Sequence, residues 1–185
     1  MQTIFKTSLT PEQYAEQDYH KQVRAPENCT NCGKAHALEA LTYYQRYITT
    51  AAVLVLFIWV RRFRCRHCRV TVSCLPSFAQ PYRPVNTPTV AEGFNGKATA
   101  QTARWIGLIQ CYWRKFEKHL PRLLQQVGNA FGPAPLKPTG KDFWRQLLAR
   151  CGDLGEATRQ LIDQFHTCLF GTYRCHQRPQ PLQAA

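Results

Sequence analysis

Acidic residues are scarce in this chain, and the motifs of the familiar catalytic centres are missing. Its 185 residues include 11 Asp and Glu against 24 Lys and Arg, which gives a formal net charge of +13. A two-metal nuclease needs several carboxylates that converge from core strands, and the predicted core strands carry none in such an arrangement. Nucleophile motifs and phosphate-binding glycine loops are absent as well. We therefore expect a protein that is not an enzyme and has no catalytic residues.

Long apolar segments are also absent. The longest run covers residues 51–60 and stops at Arg61 and Arg62, whereas a helix needs about 20 apolar residues to cross a bilayer. The first 19 residues have no apolar segment of the kind found in a signal peptide. These absences predict a cytoplasmic protein with no membrane partner, and the anionic partner expected from its positive charge would make it nucleoid-associated.

The cysteines are spaced in a pattern that is typical of metal sites. Two pairs share the Cys-x2-Cys spacing, Cys29 with Cys32 and Cys65 with Cys68, and Gly33 follows the first pair. Two intervening residues let one tight turn direct both sulfurs at the same ion, so the four cysteines predict one tetrahedral, structural Zn2+. Free thiols or disulfides are the alternatives. The other five cysteines are unpaired, and we expect them to be small buried hydrophobes.

The excess of positive charge predicts an anionic partner, with nucleic acid as the leading candidate because Lys and Arg neutralise phosphates. A basic surface that only meets solvent is the alternative. The candidate nucleic-acid contacts are Arg61, Arg62, Arg64, Arg66, Arg69, Arg83, Lys97, Arg104, Gln110, Arg114, Lys115 and Lys118.

Strand-like sequence patterns precede helix-like ones along the chain, and this order predicts an α+β fold. A small β zinc ribbon would come first, followed by an all-helical region with a helix-turn-helix. An N-terminal helical arm covers residues 1–26, with a helix over 11–22 capped by Thr10. The ribbon covers 27–84, with a hairpin of 40–49 and 53–64, a strand over 70–74 and an extended linker over 75–84. The helix-turn-helix region covers 85–128, and a C-terminal helical hairpin covers 139–172.

The predicted helix-turn-helix consists of helices over 99–106 and 108–119, with a turn at Gly107 and an end before Pro121. Ile106, Leu108 and Phe116 would face the core. Gln110, Arg114, Lys115 and Lys118 would then lie on the outward side of a recognition helix. An ordinary helical hairpin with a solvated basic face is the alternative.

Several short stretches together resemble a known kind of region. They are Cys29-x2-Cys32-Gly33, Arg61-Arg-Phe-Arg-Cys-Arg-His-Cys68, Leu75-Pro-Ser-Phe78 and Pro81-Tyr-Arg83. This part of the chain resembles the amino-terminal zinc-binding region of bacterial insertion-sequence transposases and of related small stand-alone proteins. The resemblance implies a ribbon followed by a helix-turn-helix that binds transposon-end DNA. The acidic catalytic domain of a transposase is missing, which points to an accessory or regulatory factor.

The resulting hypothesis is a zinc-dependent protein that binds double-stranded DNA at mobile-element ends or at a promoter. Its protein partner would be a separately encoded transposase or recombinase, or a second copy of the chain. One alternative is a protein-interaction or RNA-binding adaptor that uses exposed Tyr43, Tyr44 and Tyr47. Another is a nuclease or transposase whose acids would be Asp142, Asp153 and Asp163.

Overall fold

The computed structural model describes residues 1–50, 55–97, 99, 102–133 and 138–171. It contains both a four-stranded mixed sheet and helices, so the α+β class is confirmed. The strands are β1 (Gln2–Phe5), β2 (Leu38–Thr49), β3 (Val55–Cys65) and β4 (Thr71–Pro76). The helices are α1 (Pro11–Glu16), α2 (Thr87–Phe94), α3 (Ile106–Val127), α4 (Gly140–Cys151) and α5 (Leu154–Phe165), with short 3-10 turns at Tyr19–Lys21 and Ala103–Trp105.

The sheet has the strand order β1-β4-β3-β2. The antiparallel pairing of β2 with β3 and of β3 with β4 confirms the predicted hairpin and third strand, although residues 53 and 54 lie outside the described residues. The fourth strand, β1, was not predicted; it pairs in parallel with β4. The arm over 1–26 is therefore not all helical.

Helix α1 begins as predicted and ends early. The Thr10 hydroxyl accepts a hydrogen bond from the Gln13 amide, and the Gln13 side chain accepts one from the Thr10 amide. This capping box fixes the start of the helix. Asp18 then adopts a left-handed conformation with φ of 51°, which a continuing α-helix does not allow. The prediction of a helix as far as residue 22 is wrong.

The proline-bearing stretch over 75–84 is part of the core, and the prediction that it is an extended linker is wrong. Phe78, Ala79 and Gln80 are buried. The Gln80 amide nitrogen donates to the hydroxyls of Thr87 and Thr158, which lie on α2 and α5. Proline removes backbone donors but does not prevent burial, so this stretch joins the sheet to the helices.

The largest correction concerns the predicted helix-turn-helix. Helix α3 runs without interruption over Ile106–Val127, through both Gly107 and Pro121. The predicted helix over 99–106 is a 3-10 turn, Ala103–Trp105, in its described part, and residues 98, 100 and 101 lie outside the described residues. The described residues around Gly107 therefore contain no turn there, and the predicted helix-turn-helix of 99–106 and 108–119 is wrong.

Helix α3 buries one face in the main core. Tyr112, Phe116 and Leu123 are almost completely buried there, and Leu108 is partly buried against the same core. Ile106 was predicted to face the core, but it is 40% exposed because it begins the helix at its outer end. The amphipathic period of 3.6 residues continues past Pro121.

Helices α4 and α5 form the predicted C-terminal hairpin. Gly152 turns the chain with φ of 83°, and the Asp153 side chain accepts a hydrogen bond from the Glu156 amide at the start of α5. Helix α5 ends at Phe165, inside the predicted hairpin region of 139–172, because His166 adopts a left-handed backbone conformation with φ of 49°. Residues 134–137, which precede the predicted hairpin region, lie outside the described residues. None of the helices in the described ranges is long and apolar enough to cross a membrane.

Candidate metal centre and basic surface

The two cysteine pairs lie on turns with the same backbone pattern. In the first turn the Gly33 amide donates to the Cys29 carbonyl at 2.8 Å, and the Cys29 amide donates to the Lys34 carbonyl at 3.0 Å. In the second turn the Arg69 amide donates to the Cys65 carbonyl at 3.0 Å, and the Cys65 amide donates to the Val70 carbonyl at 3.0 Å. Equivalent backbone bonds thus direct two thiols inward in each turn.

A left-handed residue closes each turn. Gly33 has φ of 70° and Arg69 has φ of 62°. Glycine takes this conformation without steric cost, whereas arginine does so rarely. The arginine in the second turn is therefore held in an uncommon conformation by the turn's hydrogen bonds.

The sheet brings the two turns together. Cys65 is the last residue of β3 and pairs with Leu38 at the start of β2. Just beyond, the Arg66 amide donates to the Ala37 carbonyl at 2.8 Å. The first turn precedes β2 and the second follows β3, so the antiparallel hairpin places both turns at the same end.

All four sulfur atoms lie within 4.8 Å of one another. The Sγ atoms of Cys29 and Cys68 are 3.7 Å apart, and those of Cys32 and Cys65 are 3.8 Å apart. A tetrahedral ion with metal–sulfur bonds of about 2.3 Å requires sulfurs about 3.8 Å apart. A disulfide requires about 2.05 Å, and all four cysteines are free thiols. The cluster could hold one metal ion.

The thiols differ in their surroundings. Burial raises the pKa of Cys29 to about 12. Burial also raises the pKa of Cys68, but hydrogen bonds led by the backbone of Val70 outweigh it and bring the value to about 7. A metal ion binds thiolates, so it must displace protons here and would bind more weakly as the pH falls.

The predicted arginine contacts near the cluster divide into two groups. Arg64, Arg66 and Arg69 are exposed, and Arg66 pairs with Glu39. Arg61 and Arg62 are half-buried, and their guanidinium groups lie over tyrosine rings of β2 at 5.3 and 5.7 Å.

Arg83 belongs mainly to the fold. It is half-buried, with its guanidinium 5.5 Å from the Tyr112 ring and 5.9 Å from the Phe170 ring. Arg46 was not among the predicted contacts, and it is internal as well. Its Nη2 donates to the carbonyls of Gln80 and Arg83, and burial lowers its pKa.

The predicted contacts on α3 are all exposed. They are Gln110, Arg114, Lys115 and Lys118. Arg114 and Lys118 are four residues apart on a helix and share one side of it with the exposed Arg122. Arg122 was missed because the helix was predicted to end before Pro121.

Other cations extend this surface. Arg114 and Gln110 line a cavity of about 400 Å3 together with Lys141 of α4, a cation that the sequence patterns did not indicate. Lys97 is exposed just after α2, and Arg104 is exposed just before α3. We call Arg114, Lys118, Arg122 and Lys141 the basic face.

The acids proposed for a nuclease have other contacts. Asp142 caps α4 by accepting a hydrogen bond from Thr139, and Asp153 caps α5. Asp163 accepts a hydrogen bond from Thr3 and pairs with Arg159. Within the described ranges, the four cysteines are the one cluster of His, Cys, Asp or Glu side chains with metal-binding geometry.

Comparisons with protein-family models, with curated proteins and with solved structures found no match to this chain. The resemblance to insertion-sequence transposases therefore stays a prediction that rests on the ribbon residues alone.

Proposed function

We propose that this protein binds double-stranded DNA and that one structural Zn2+ holds its ribbon together. The observation that carries the proposal is the cluster of four sulfurs, with cross-pair distances of 3.7 and 3.8 Å, at the end of an arginine-bearing hairpin. A closed set of four thiolates leaves no position for substrate, which is typical of structural zinc.

Zinc would order the segment that carries the exposed arginines. Arg64, Arg66 and Arg69 flank or lie within the second cysteine turn, so their backbone positions depend on that turn. Four sulfurs in tetrahedral geometry also suit an iron–sulfur site. Metal analysis separates the two, and zinc is the expected result.

The DNA contact would be electrostatic and would follow the duplex backbone. The basic face presents four cations on α3 and α4, and the exposed ribbon arginines add others. Phosphate contacts of this kind position a protein on DNA and carry most of its non-specific affinity. Any sequence preference would come from side chains such as Gln110 or from a partner.

The protein would act without catalysis. The capping and pairing roles of Asp142, Asp153 and Asp163 support this part of the proposal. A role as an accessory factor of a mobile element, with a separately encoded transposase as partner, rests on the sequence resemblance. DNA binding itself is tested without that partner.

The test is fluorescence anisotropy on a labelled duplex over a range of salt concentrations. The variant with Arg114→Gln and Lys118→Gln removes two cations from the basic face. We expect weaker binding to all sequences and a salt slope reduced by about 1.8, since each phosphate contact contributes about 0.9.

A second variant removes the same charge elsewhere. Lys6→Gln with Arg150→Gln alters two exposed cations: Lys6 lies near Glu156 of α5, and Arg150 lies in the last turn of α4 near Cys151. This variant should retain the affinity and salt slope of the unmodified protein. Equal losses in the two double variants, or binding that ignores salt, would contradict the proposed surface.

A further inference from the structure

One face of the β2–β3 hairpin exposes a set of aromatic rings. Tyr47 pairs with Phe57. Tyr43 is four residues before Tyr47 on β2, and Trp59 is two residues after Phe57 on β3, so all four side chains share a face. Their exposed fractions are 50% for Tyr47, 54% for Phe57, 38% for Tyr43 and 43% for Trp59. We call these four residues the aromatic face. Folded monomers seldom leave so many adjacent large apolar side chains open to solvent.

The hairpin contacts the core through its other face. On the opposite face, Ile48, Ile58 and Val60 are almost completely buried against the core. Tyr44, one of the three tyrosines predicted to be exposed, belongs to that side and is half-buried. The Tyr14 hydroxyl also donates to the Trp59 carbonyl at the edge of β3. The face opposite the aromatic face thus carries the contact between the hairpin and the core.

The spacing of the rings suits planar ligands. Successive residues on one face of a strand are about 7 Å apart. Carbon atoms in contact lie about 3.5–4.0 Å apart, so one flat ring fits between two such side chains. The His20 ring packs edge-on against Tyr43 at 5.1 Å and holds this end of the face in place.

Cations lie at both ends of the aromatic face. Arg61 pairs with Tyr43, and its guanidinium donates to the carbonyl of Lys21. The exposed Lys21 forms an ion pair with Asp18, so the negative charge of the Asp18 carboxylate at this end is neutralised. At the other end the Trp105 indole donates to the Thr50 carbonyl, which places the neighbouring, exposed Arg104 near the end of β2. A chain with a net charge of +13 repels its own copies and attracts a polyanion.

We propose that the aromatic face binds single-stranded nucleic acid, with bases stacked on Tyr47, Phe57 and Trp59 and phosphates near the flanking cations. Stacking of this kind tolerates any base sequence. The aromatic face is separate from the basic face, and single-strand binding goes beyond the proposed duplex binding. Either proposal can therefore be wrong while the other is right.

The test uses labelled oligothymidylate and oligouridylate of about 15 nucleotides, within the size range of known single-strand sites. Phe57→Ala and Tyr47→Ala should each lower the affinity for both by about 5-fold to 150-fold, the loss of one stacked base. Duplex affinity should stay unchanged. Equal affinity for the two strands indicates a contact through bases and phosphates, and tighter binding of oligouridylate indicates an added 2′-hydroxyl contact; either result supports the proposal.

Two controls make the test specific. Phe57→Tyr keeps a ring and should keep the affinity. Leu41→Ala changes a residue that is 46% exposed at the irregularity in β2, outside the aromatic face, and should also have no effect. Equal losses for Phe57→Ala and Leu41→Ala, or no binding of either strand by the unmodified protein, would overturn the proposal.

A protein ligand would give a different result. If Phe57→Ala abolished self-association in sedimentation velocity and left oligonucleotide binding intact, the aromatic face would be an interface between copies and the proposal would be wrong. Loss of single-strand binding in the Arg114→Gln and Lys118→Gln variant, with none in Phe57→Ala, would also contradict it.

Discussion

At the scale of single residues, the two cysteine turns follow from short-range geometry. Each Cys-x2-Cys turn is closed by backbone hydrogen bonds within six residues. The spacing of the cysteines therefore predicted which two sulfurs each turn brings together. The roles of the arginines, in contrast, depend on residues that are distant in the sequence. Arg83 stacks on rings from α3 and from the stretch after α5, and the sequence near Arg83 contains no sign of that contact.

A charge pair on α5 gives a residue-level prediction. The Arg159 guanidinium hydrogen-bonds to Glu156 and lowers the pKa of that carboxyl to about 2, from 4.5. A lowered pKa in the folded state means that Glu156 stabilises the protein above pH 4.5 and loses this effect as the pH falls toward 2.

Glu156→Gln should therefore lower the free energy of unfolding by about 1 kcal/mol at pH 7, since the pair is partly open to solvent. The difference from the unmodified protein should shrink below pH 4.5, as measured by urea unfolding at each pH. Glu117→Gln, an exposed change on α3, should alter stability by less than about 0.5 kcal/mol. A Glu156→Gln effect that is the same at pH 7 and pH 3 would contradict this account.

At the scale of elements, α3 shows where sequence signals conflict. Gly107 and Pro121 both favour helix boundaries, and a short helix pair was predicted from them. The apolar pattern of Phe116, Leu120 and Leu123 continues across Pro121, and burial of that face outweighs the hydrogen bond that proline cannot make. Local breaker signals are weaker than the packing of a 22-residue helix, and packing is not visible in a short window of sequence.

This conflict yields an element-level prediction. Pro121 is exposed inside a continuous helix, where proline costs about 3 kcal/mol relative to alanine. The unfolded chain gains freedom when proline is removed, which offsets part of that cost. Pro121→Ala should raise the free energy of unfolding by about 2 kcal/mol, measured by thermal or urea unfolding.

Pro88→Ala is the matched control. Pro88 is exposed in the first turn of α2, where proline is tolerated, so this change should leave stability unchanged or slightly lower. If Pro121→Ala failed to stabilise the protein, the chain would break near residue 121 as the sequence suggested.

At the scale of the whole molecule, the fold depends on contacts between distant parts of the chain. Strand β1 pairs with β4 about 70 residues later, and its Thr3 donates to Asp163 of α5 at 3.2 Å. Helix α5 approaches the proline-bearing stretch so closely that a Cβ on Gly155 would lie 2.7 Å from the Ser77 carbonyl oxygen. Four residues of β1 carry too little periodicity to predict such a pairing.

The β2–β3 hairpin and the cluster of four cysteines are the parts of the molecule on which sequence and structure agree. The cysteine turns and the hairpin were predicted from spacing and alternation, and the structure brings the four sulfurs together. The pair of helices α4 and α5 was also predictable, whereas the continuous helix α3 and the packing of the helices on the sheet were not. The central claim is thus that the four cysteines hold one structural zinc.

Metal analysis of the purified protein by mass spectrometry tests this claim most directly, with Cys32→Ser and Cys111→Ser as a matched pair. Cys111 is a half-buried thiol on α3, outside the cluster. We expect one zinc ion per chain in the unmodified protein and in Cys111→Ser, and almost none in Cys32→Ser, with a lower melting temperature after chelation. Iron instead of zinc, a chain that folds equally well without metal, or the same metal content in both variants would contradict the claim.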